Sequence, residues 1–424
     1  MYLKILLIIF LSLSYQVAYS KALKVLAFRD NHSEAVKSRL AEFEKTRGVK
    51  VQLDLIASST VATKIMTDQM AGGSYDLYTV DEPFIPKLSP FFLKYKDWPK
   101  AEKSLSSDFL TAALAGTSFA GSSFGLPVNS NIYMYVYRKD LFEDPKEKHN
   151  FLNRYHYSLS QPKNIREMRD IAEFFTRPPR LYGFAPFTKK SEGTTIEAIW
   201  ILSSFEVKLF DAELNVIMDE DKARSAFAFY KKLMKFAPVG SKSWHHSERM
   251  AAYKKGKVVQ ILTWPGFLPG IENPKRSLVI GKSGWGVPPG RAVVGTWTLA
   301  IPKSSNKKAL AADFAHHWTS ESFGKKLVPY GMNPSRSALL ADPELNAKNP
   351  WFAALLKSFE KGTVRPRFPE YKKVSDNISN HFTNMLIGNL TPEQCAKNLK
   401  RDLIKLAAEV RKAQMAKASA EEKL

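Results

Sequence analysis

From Leu23 to Val80 the sequence switches repeatedly between two hydrophobic periods, and this alternation limits the fold more than any other feature. Leu23–Phe28 is a short apolar run that reads as a buried strand. Ser33 is the expected cap of a helix that places Val36, Leu40 and Phe43 on one face and stops at Gly48. Val49, Val51, Leu53 and Leu55 then alternate with Lys50, Gln52 and Asp54, which is strand periodicity. A helix from about Thr60 to Ala71 ends at Gly72-Gly73, and Tyr75–Val80 supplies a third strand. Strands separated by helices imply a parallel sheet with helices on its faces. Ligands of such sheets bind beyond the carboxyl ends of the strands. Those ends carry Arg29 and Asp30, then Ser58 and Ser59, then Asp81 and Glu82. Three successive loops thus bring side chains suited to hydroxyl groups to one rim.

A second α/β set begins near Tyr133. Asn164 and Glu167 form a capping box for a helix through Phe175, and Leu181–Phe187 is strand-like. Thr194 and Glu197 read as a further capping box opening a helix through Phe205. Asp219 or Asp221 opens a helix through Phe236. Ser247 is the expected cap of a helix ending near Gly256, and Val258–Leu262 is a strand that ends at Thr263 and Trp264. Gly284–Gly290 reads as a turn-rich crossover, followed by a strand over Thr298–Ile301 and a helix bearing Leu310, Phe314 and Trp318.

The chain has 424 residues, enough for two lobes of ordinary domain size. Lys4, the apolar run Ile5–Leu13 and Ala18-Tyr19-Ser20 have the order of a cleaved secretory signal peptide over residues 1–20. The run is shorter than the roughly 20 residues a spanning helix needs. Cys395 is the single cysteine, so an internal disulfide is excluded, and its amphipathic surroundings suit packing rather than nucleophilic chemistry. The formal charge of +22 is scattered as singles and pairs such as Lys189-Lys190 and Lys372-Lys373. That pattern suits a solvated basic surface and shows no nucleic-acid motif. No His-Glu-x-x-His, cysteine pair, phosphate loop or Gly-x-Ser-x-Gly elbow occurs, so no metal or cofactor is expected. His245-His246 and His316-His317 lack ligand spacing and read as exposed helix residues.

Several stretches share an order. Phe124-Gly125-Leu126-Pro127 leads through polar residues to Ile132-Tyr133-Met134-Tyr135-Val136-Tyr137-Arg138-Lys139-Asp140-Leu141-Phe142. Gly73-Ser74-Tyr75-Asp76-Leu77, Glu248–Val259, Gly295–Ile301, Met332-Asn333-Pro334-Ser335-Arg336 and Arg365–Tyr371 accompany it. Together these resemble the extracellular solute-binding proteins of bacterial ABC importers, family 1, the maltose-binding-protein-like binders of sugars and glycerol phosphate. Arg138 stands where that family usually has Asn, and Thr296 where it has a second Gly.

The resemblance implies an α/β, two-lobe periplasmic-binding-protein fold of type II, its lobes joined by a multi-crossing hinge. One lobe would comprise 21–128 with 290–331 and the other 129–289 with 332–424. It further implies a periplasmic protein that closes on a carbohydrate or related polyol and docks on ABC permease subunits as a monomer, without catalysis and without nucleic acid. Sugars need planar aromatics for their C–H faces and charged or amide groups for their hydroxyls. Candidates are Trp264, Trp297, Phe267 and Tyr330 for the former. Asp30, Ser58, Ser59, Asp81, Glu82 and Asn129 are candidates for the latter. Arg336 and Arg365 are candidates for a bidentate grip on a hydroxyl or an anion. For Glu197 the capping role alone is a sufficient account. Trp200, Phe205, Phe314 and Trp318 recur at helical spacing and read as core. Two alternatives stay open: the same fold binding an anionic polyol such as glycerol phosphate, and a secreted carbohydrate-active enzyme.

Overall fold

A computed structural model describes residues 22–101 and 108–421; the expected signal segment, residues 1–20, lies outside them. The chain divides into two compact units. The first comprises the described residues up to Ser130 together with Thr296–Leu339, and the second comprises Asn131–Gly295 with the residues from Leu340 onward. The chain therefore passes from one unit to the other at 130–131, 295–296 and 339–340.

Among the described residues, nine strands build the two principal sheets: β1 Leu23–Phe28, β2 Val51–Ile56, β3 Leu77–Asp81, β4 Leu126–Val128, β5 Met134–Arg138, β6 Tyr182–Phe184, β7 Val258–Thr263, β8 Ser283–Gly286 and β9 Trp297–Ala300. In the first unit their order is β2-β1-β3-β9-β4. The first three strands are parallel, and β9 enters antiparallel between β3 and β4. In the second unit the order is β8-β5-β7-β6, with β5 antiparallel to both β8 and β7, and β6 parallel to β7. The class is mixed α/β, as the alternating periodicity requires. Burial follows position in the sheet: edge strand β2 alternates buried and half-buried residues, whereas central β7 is buried throughout.

Pro127 sits on β4, the edge strand, where its missing N–H breaks no ladder on the open side. Gly125 precedes it because a Cβ there would lie 1.9 Å from the carbonyl oxygen of Leu299. The Gly-Leu-Pro signature thus has a steric cause.

Several local expectations are corrected. Asp30, not Ser33, caps the first helix, Asn31–Lys37; its carboxylate accepts the Ser33 N–H at 2.7 Å, and Ser33 is buried in the first turn. That helix ends at Lys37, and a second, Leu40–Arg47, runs to Gly48, whose φ of 62° closes it. Thr194 and Glu197 lie inside helix Glu192–Ser204, which starts earlier, after Ser191. His245, not Ser247, precedes helix His246–Lys254, with Glu248 accepting the His245 N–H at 2.9 Å. His246 is buried, not exposed. Gly284–Gly286 belongs to a strand rather than a turn: a Cβ on Gly284 would meet the Tyr137 ring at 2.2 Å, so close packing and not chain reversal selects the glycine. Asn164 and Asp219 cap the helices Ile165–Phe175 and Glu220–Leu233 as their spacing indicated.

The core of the second unit gathers Trp200, Phe227, Tyr230, Phe382, Leu399 and Cys395. Trp318 and Phe314 are buried in the first unit, and Phe205 is half-buried. Burial pushes the Cys395 thiol pKa up, which suits a packing residue. Among the described residues no helix is long and apolar enough to cross a membrane, and no cluster of His, Cys, Asp and Glu could hold a metal ion.

Candidate functional site

In the first unit the register brings the carboxyl ends of β1, β2, β3 and β4 to the same sheet edge as the amino end of β9. Trp297 stands opposite both Asp81 and Val128, and Phe28 opposite Ile56. Five of the expected residues meet here: Asp30, Asp81, Glu82, Asn129 and Trp297. Asp30 links two of the loops, because its second carboxylate oxygen accepts the Asn129 Nδ2 at 2.8 Å. Asn129 is buried with a φ of 47°, a left-handed conformation that asparagine tolerates better than most residues. Its Oδ1 accepts the backbone N–H and the Nδ2 of Asn333 at 3.2 and 3.3 Å. Glu82 is buried, and its backbone N–H donates to Thr296 O at 3.1 Å. Trp297 lies on Phe28 with ring centroids 3.8 Å apart. Ser58 and Ser59 are exposed in the first turn of helix Ser58–Met70, at the same edge.

Tyr330 and Arg336 have other surroundings in this unit. Tyr330 is half-exposed beneath the Arg39 guanidinium, 4.3 Å from the ring centre. Arg336 donates through Nε to Thr319 O at 2.6 Å, pairs with Asp108 and lies 4.4 Å above the Phe109 ring.

In the second unit the carboxyl end of β7 and the amino end of β5 coincide, since Thr263 pairs with Met134. Trp264 follows directly and is half-buried. Its ring lies 5.0 Å from that of Tyr133 at 55°. Phe267, 46 % exposed, covers His246 at 3.7 Å. Behind these rings is a buried ion pair: Arg249 Nη1 donates to Glu197 Oε1 at 2.5 Å, and both side chains are essentially inaccessible. The Tyr133 hydroxyl donates to the same Glu197 oxygen at 2.6 Å and accepts Arg249 Nη2 at 3.0 Å. The Tyr230 hydroxyl donates to Glu197 Oε2 at 2.6 Å. Burial raises the pKa of both tyrosines well above the usual phenol range. His246 is held neutral, its pKa pushed down to about 2, chiefly by burial and then by the nearby Arg249 charge. Arg365 is apart from this group: its Nη1 donates to Glu192 Oε1 at 3.0 Å, and the Tyr371 and Ser375 hydroxyls donate to the same carboxylate.

Sequence reasoning missed Phe28, Asn333, Tyr133, His246 and Arg249 as members of these groups. Tyr133, Asn333 and Arg249 lie inside the motif stretches, which carry no local mark of their tertiary partners. Arg249 is also half of an ion pair whose carboxylate is 52 positions away, which no local spacing reveals.

Residues 29–324 match the family described as bacterial extracellular solute-binding protein. Two relatives are a probable amino-acid ABC transporter periplasmic-binding protein of Sinorhizobium fredii and the mannitol-binding protein of Pseudomonas aeruginosa. The former is 23 % identical over 89 % of this chain and 87 % of its own length. The latter is 22 % identical over 80 % of this chain and 82 % of its own length. Among solved structures, an Agrobacterium radiobacter ABC-transporter solute-binding protein in complex with ribitol aligns with a TM-score of 0.75. It covers 91 % of this chain and 98 % of its own, at 23 % identity. Maltose-bound MalE3 of Thermotoga maritima aligns with a TM-score of 0.76, covering 91 % of this chain and 99 % of its own, also at 23 % identity.

Proposed function

The chain belongs to the bacterial extracellular solute-binding protein family, and from that premise we propose that it is the substrate-capturing component of an ABC importer for a neutral carbohydrate or sugar alcohol. It is exported through a cleaved signal segment, works as a monomer, and hands its cargo to a membrane permease without chemical change. Binding is coupled to a hinge motion of the two units. Within the first unit the candidate ligand contacts are Asp30, Asp81, Glu82, Asn129 and Trp297; within the second they are Trp264 and Phe267.

One observation carries the choice of a neutral ligand. The arginines that would clamp an anion each have an internal carboxylate partner: Arg336 has Asp108, Arg365 has Glu192, and Arg249 has Glu197. A polyol needs the opposite equipment, carboxylate and amide groups beside an aromatic face, and Asp30, Asp81, Glu82 and Asn129 stand with Trp297 at one sheet edge, Asp30 and Asn129 being hydrogen-bonded to each other there. The polyol and sugar ligands in the names of the mannitol-binding relative and of the ribitol and maltose complexes agree with it.

The test is a thermal-shift panel of ribitol, D-mannitol, maltose, glycerol 3-phosphate and amino acids. A ligand at 100 times its Kd stabilises the folded state by about 2.7 kcal/mol. A shift with a neutral polyol or sugar supports the reading. A shift confined to glycerol 3-phosphate or to an amino acid overturns the ligand class, and turnover of a bound sugar overturns the assignment as a pure binder.

A further inference from the structure

We propose that the buried Glu197–Arg249 pair is a positioning device that acts through Tyr133 to fix the plane of Trp264, and so sets which face of a ligand the second unit accepts. This rests on the reading of Trp264 as a ligand-facing ring.

Three observations carry it. First, Trp264 packs against two groups within its own unit. The Tyr133 ring packs 5.0 Å away at 55°. The indole edge also rests on Gly295, where a Cβ would come within 2.9 Å of Cζ3 and 3.0 Å of Cη2. The plane of Trp264 therefore depends on where Tyr133 stands.

Second, the Tyr133 hydroxyl cannot turn freely. It donates to Glu197 Oε1 at 2.6 Å and accepts Arg249 Nη2 at 3.0 Å. Arg249 is locked in turn by its own bond to Glu197, and Glu197 by the Tyr230 hydroxyl. These four bonds tie the members to one another and leave the Tyr133 hydroxyl one arrangement, although the buried Arg249 Nε has no hydrogen-bond partner among the described residues.

Third, stability alone is a poor reason for the pair to exist. Removing two ions of this size from water costs several kcal/mol each, and well-packed apolar side chains of equal volume often serve as well or better. A buried ion pair placed directly behind a half-exposed aromatic at the end of β7 has its value in geometry.

The test compares Tyr133→Phe with Tyr135→Phe. Tyr133→Phe keeps the ring and removes its two polar tethers. Tyr135 lies on the same face of the chain two residues on, is equally buried, and donates its hydroxyl to Gln260 Oε1 at 2.7 Å. Its variant makes the same chemical change outside the cluster. Trp264 is read in ligand-free protein as the difference in fluorescence and near-ultraviolet dichroism between each protein and its Trp264→Phe counterpart. Affinity is read with ribitol and D-mannitol. Tyr133→Phe should change the Trp264 signal and weaken polyol binding at least tenfold, whereas Tyr135→Phe should lower the Tm comparably and leave both unchanged. An unaltered Trp264 signal in Tyr133→Phe, or equal weakening by the two variants, overturns the proposal. If neither polyol binds the wild-type protein, the ligand assignment falls, while the ligand-free Trp264 signal still decides whether the cluster orients the ring.

Discussion

Trp297 lies nearly flat on Phe28, with ring centroids 3.8 Å apart and planes 19° from parallel. The contact joins the first strand of the unit to the strand that returns from the far side of the sequence, and it places an indole at the edge where Asp30 and Asp81 emerge. Trp297→Ala should lower stability by about 3–5 kcal/mol in urea denaturation. It should also weaken polyol binding at least tenfold. Trp297→Phe, which keeps a ring on Phe28, should retain most of both. Wild-type affinity in the alanine variant would remove Trp297 from the site.

Asp30 has two separate roles, capping a helix and holding Asn129. Asp30→Ala should cost about 1 kcal/mol for the cap and about 1 kcal/mol more for the lost hydrogen bond to Asn129. Asp30→Asn keeps a capping oxygen but turns an amide nitrogen toward Asn129 Nδ2, so it should cost about half of that in the same denaturation series. Equal losses would mean that the cap contributes nothing.

Gly125→Ala drives a methyl group into the Leu299 carbonyl, where the contact would be 1.9 Å. The sheet must open between β4 and β9, and overpacking of this kind costs about 1–3 kcal/mol or more. A Tm within a degree of wild type would show that this edge yields without strain.

Glu197→Gln leaves Arg249 charged and buried without its counter-ion. A loss of about 3–5 kcal/mol is expected. The double variant Glu197→Met with Arg249→Met should recover part of it, because neither ion then needs compensation while the Tyr133 and Tyr230 hydroxyls still lose their partner. A double variant no more stable than the single one would contradict this account.

His246 and His32 are both buried with pKa values below the ordinary 6.5, burial being the leading cause in each case. The unfolded chain therefore takes up protons that the folded chain refuses. Stability is full above pH 6.5 and falls as pH drops below it, by up to about 1.4 kcal/mol per pH unit for each histidine. Urea denaturation at pH 7.5, 6.5 and 5.5, above the carboxylate range, should show the decline. His246→Gln should remove the His246 share of it and leave that of His32. An unchanged slope in that variant would mean that His246 is protonated in the folded state.

Local periodicity was enough for the class of the fold. The strands β1, β2, β3 and β7 and the caps at Asn164 and Asp219 were legible because each depends on residues within one or two turns of its own position. The strand ends were legible for the same reason, and they pointed to Asp30, Asp81 and Glu82 as neighbours. What neighbours do to one another across the sheet was not legible. Asn333 meets Asn129, Arg249 meets Glu197 and Phe28 meets Trp297 only after distant strands and helices have been laid side by side. Glu197 shows the reason most plainly. Its spacing from Thr194 fitted a helix cap, yet burial gave it an arginine and two tyrosines instead, because a carboxylate removed from water must find donors wherever the tertiary fold brings them.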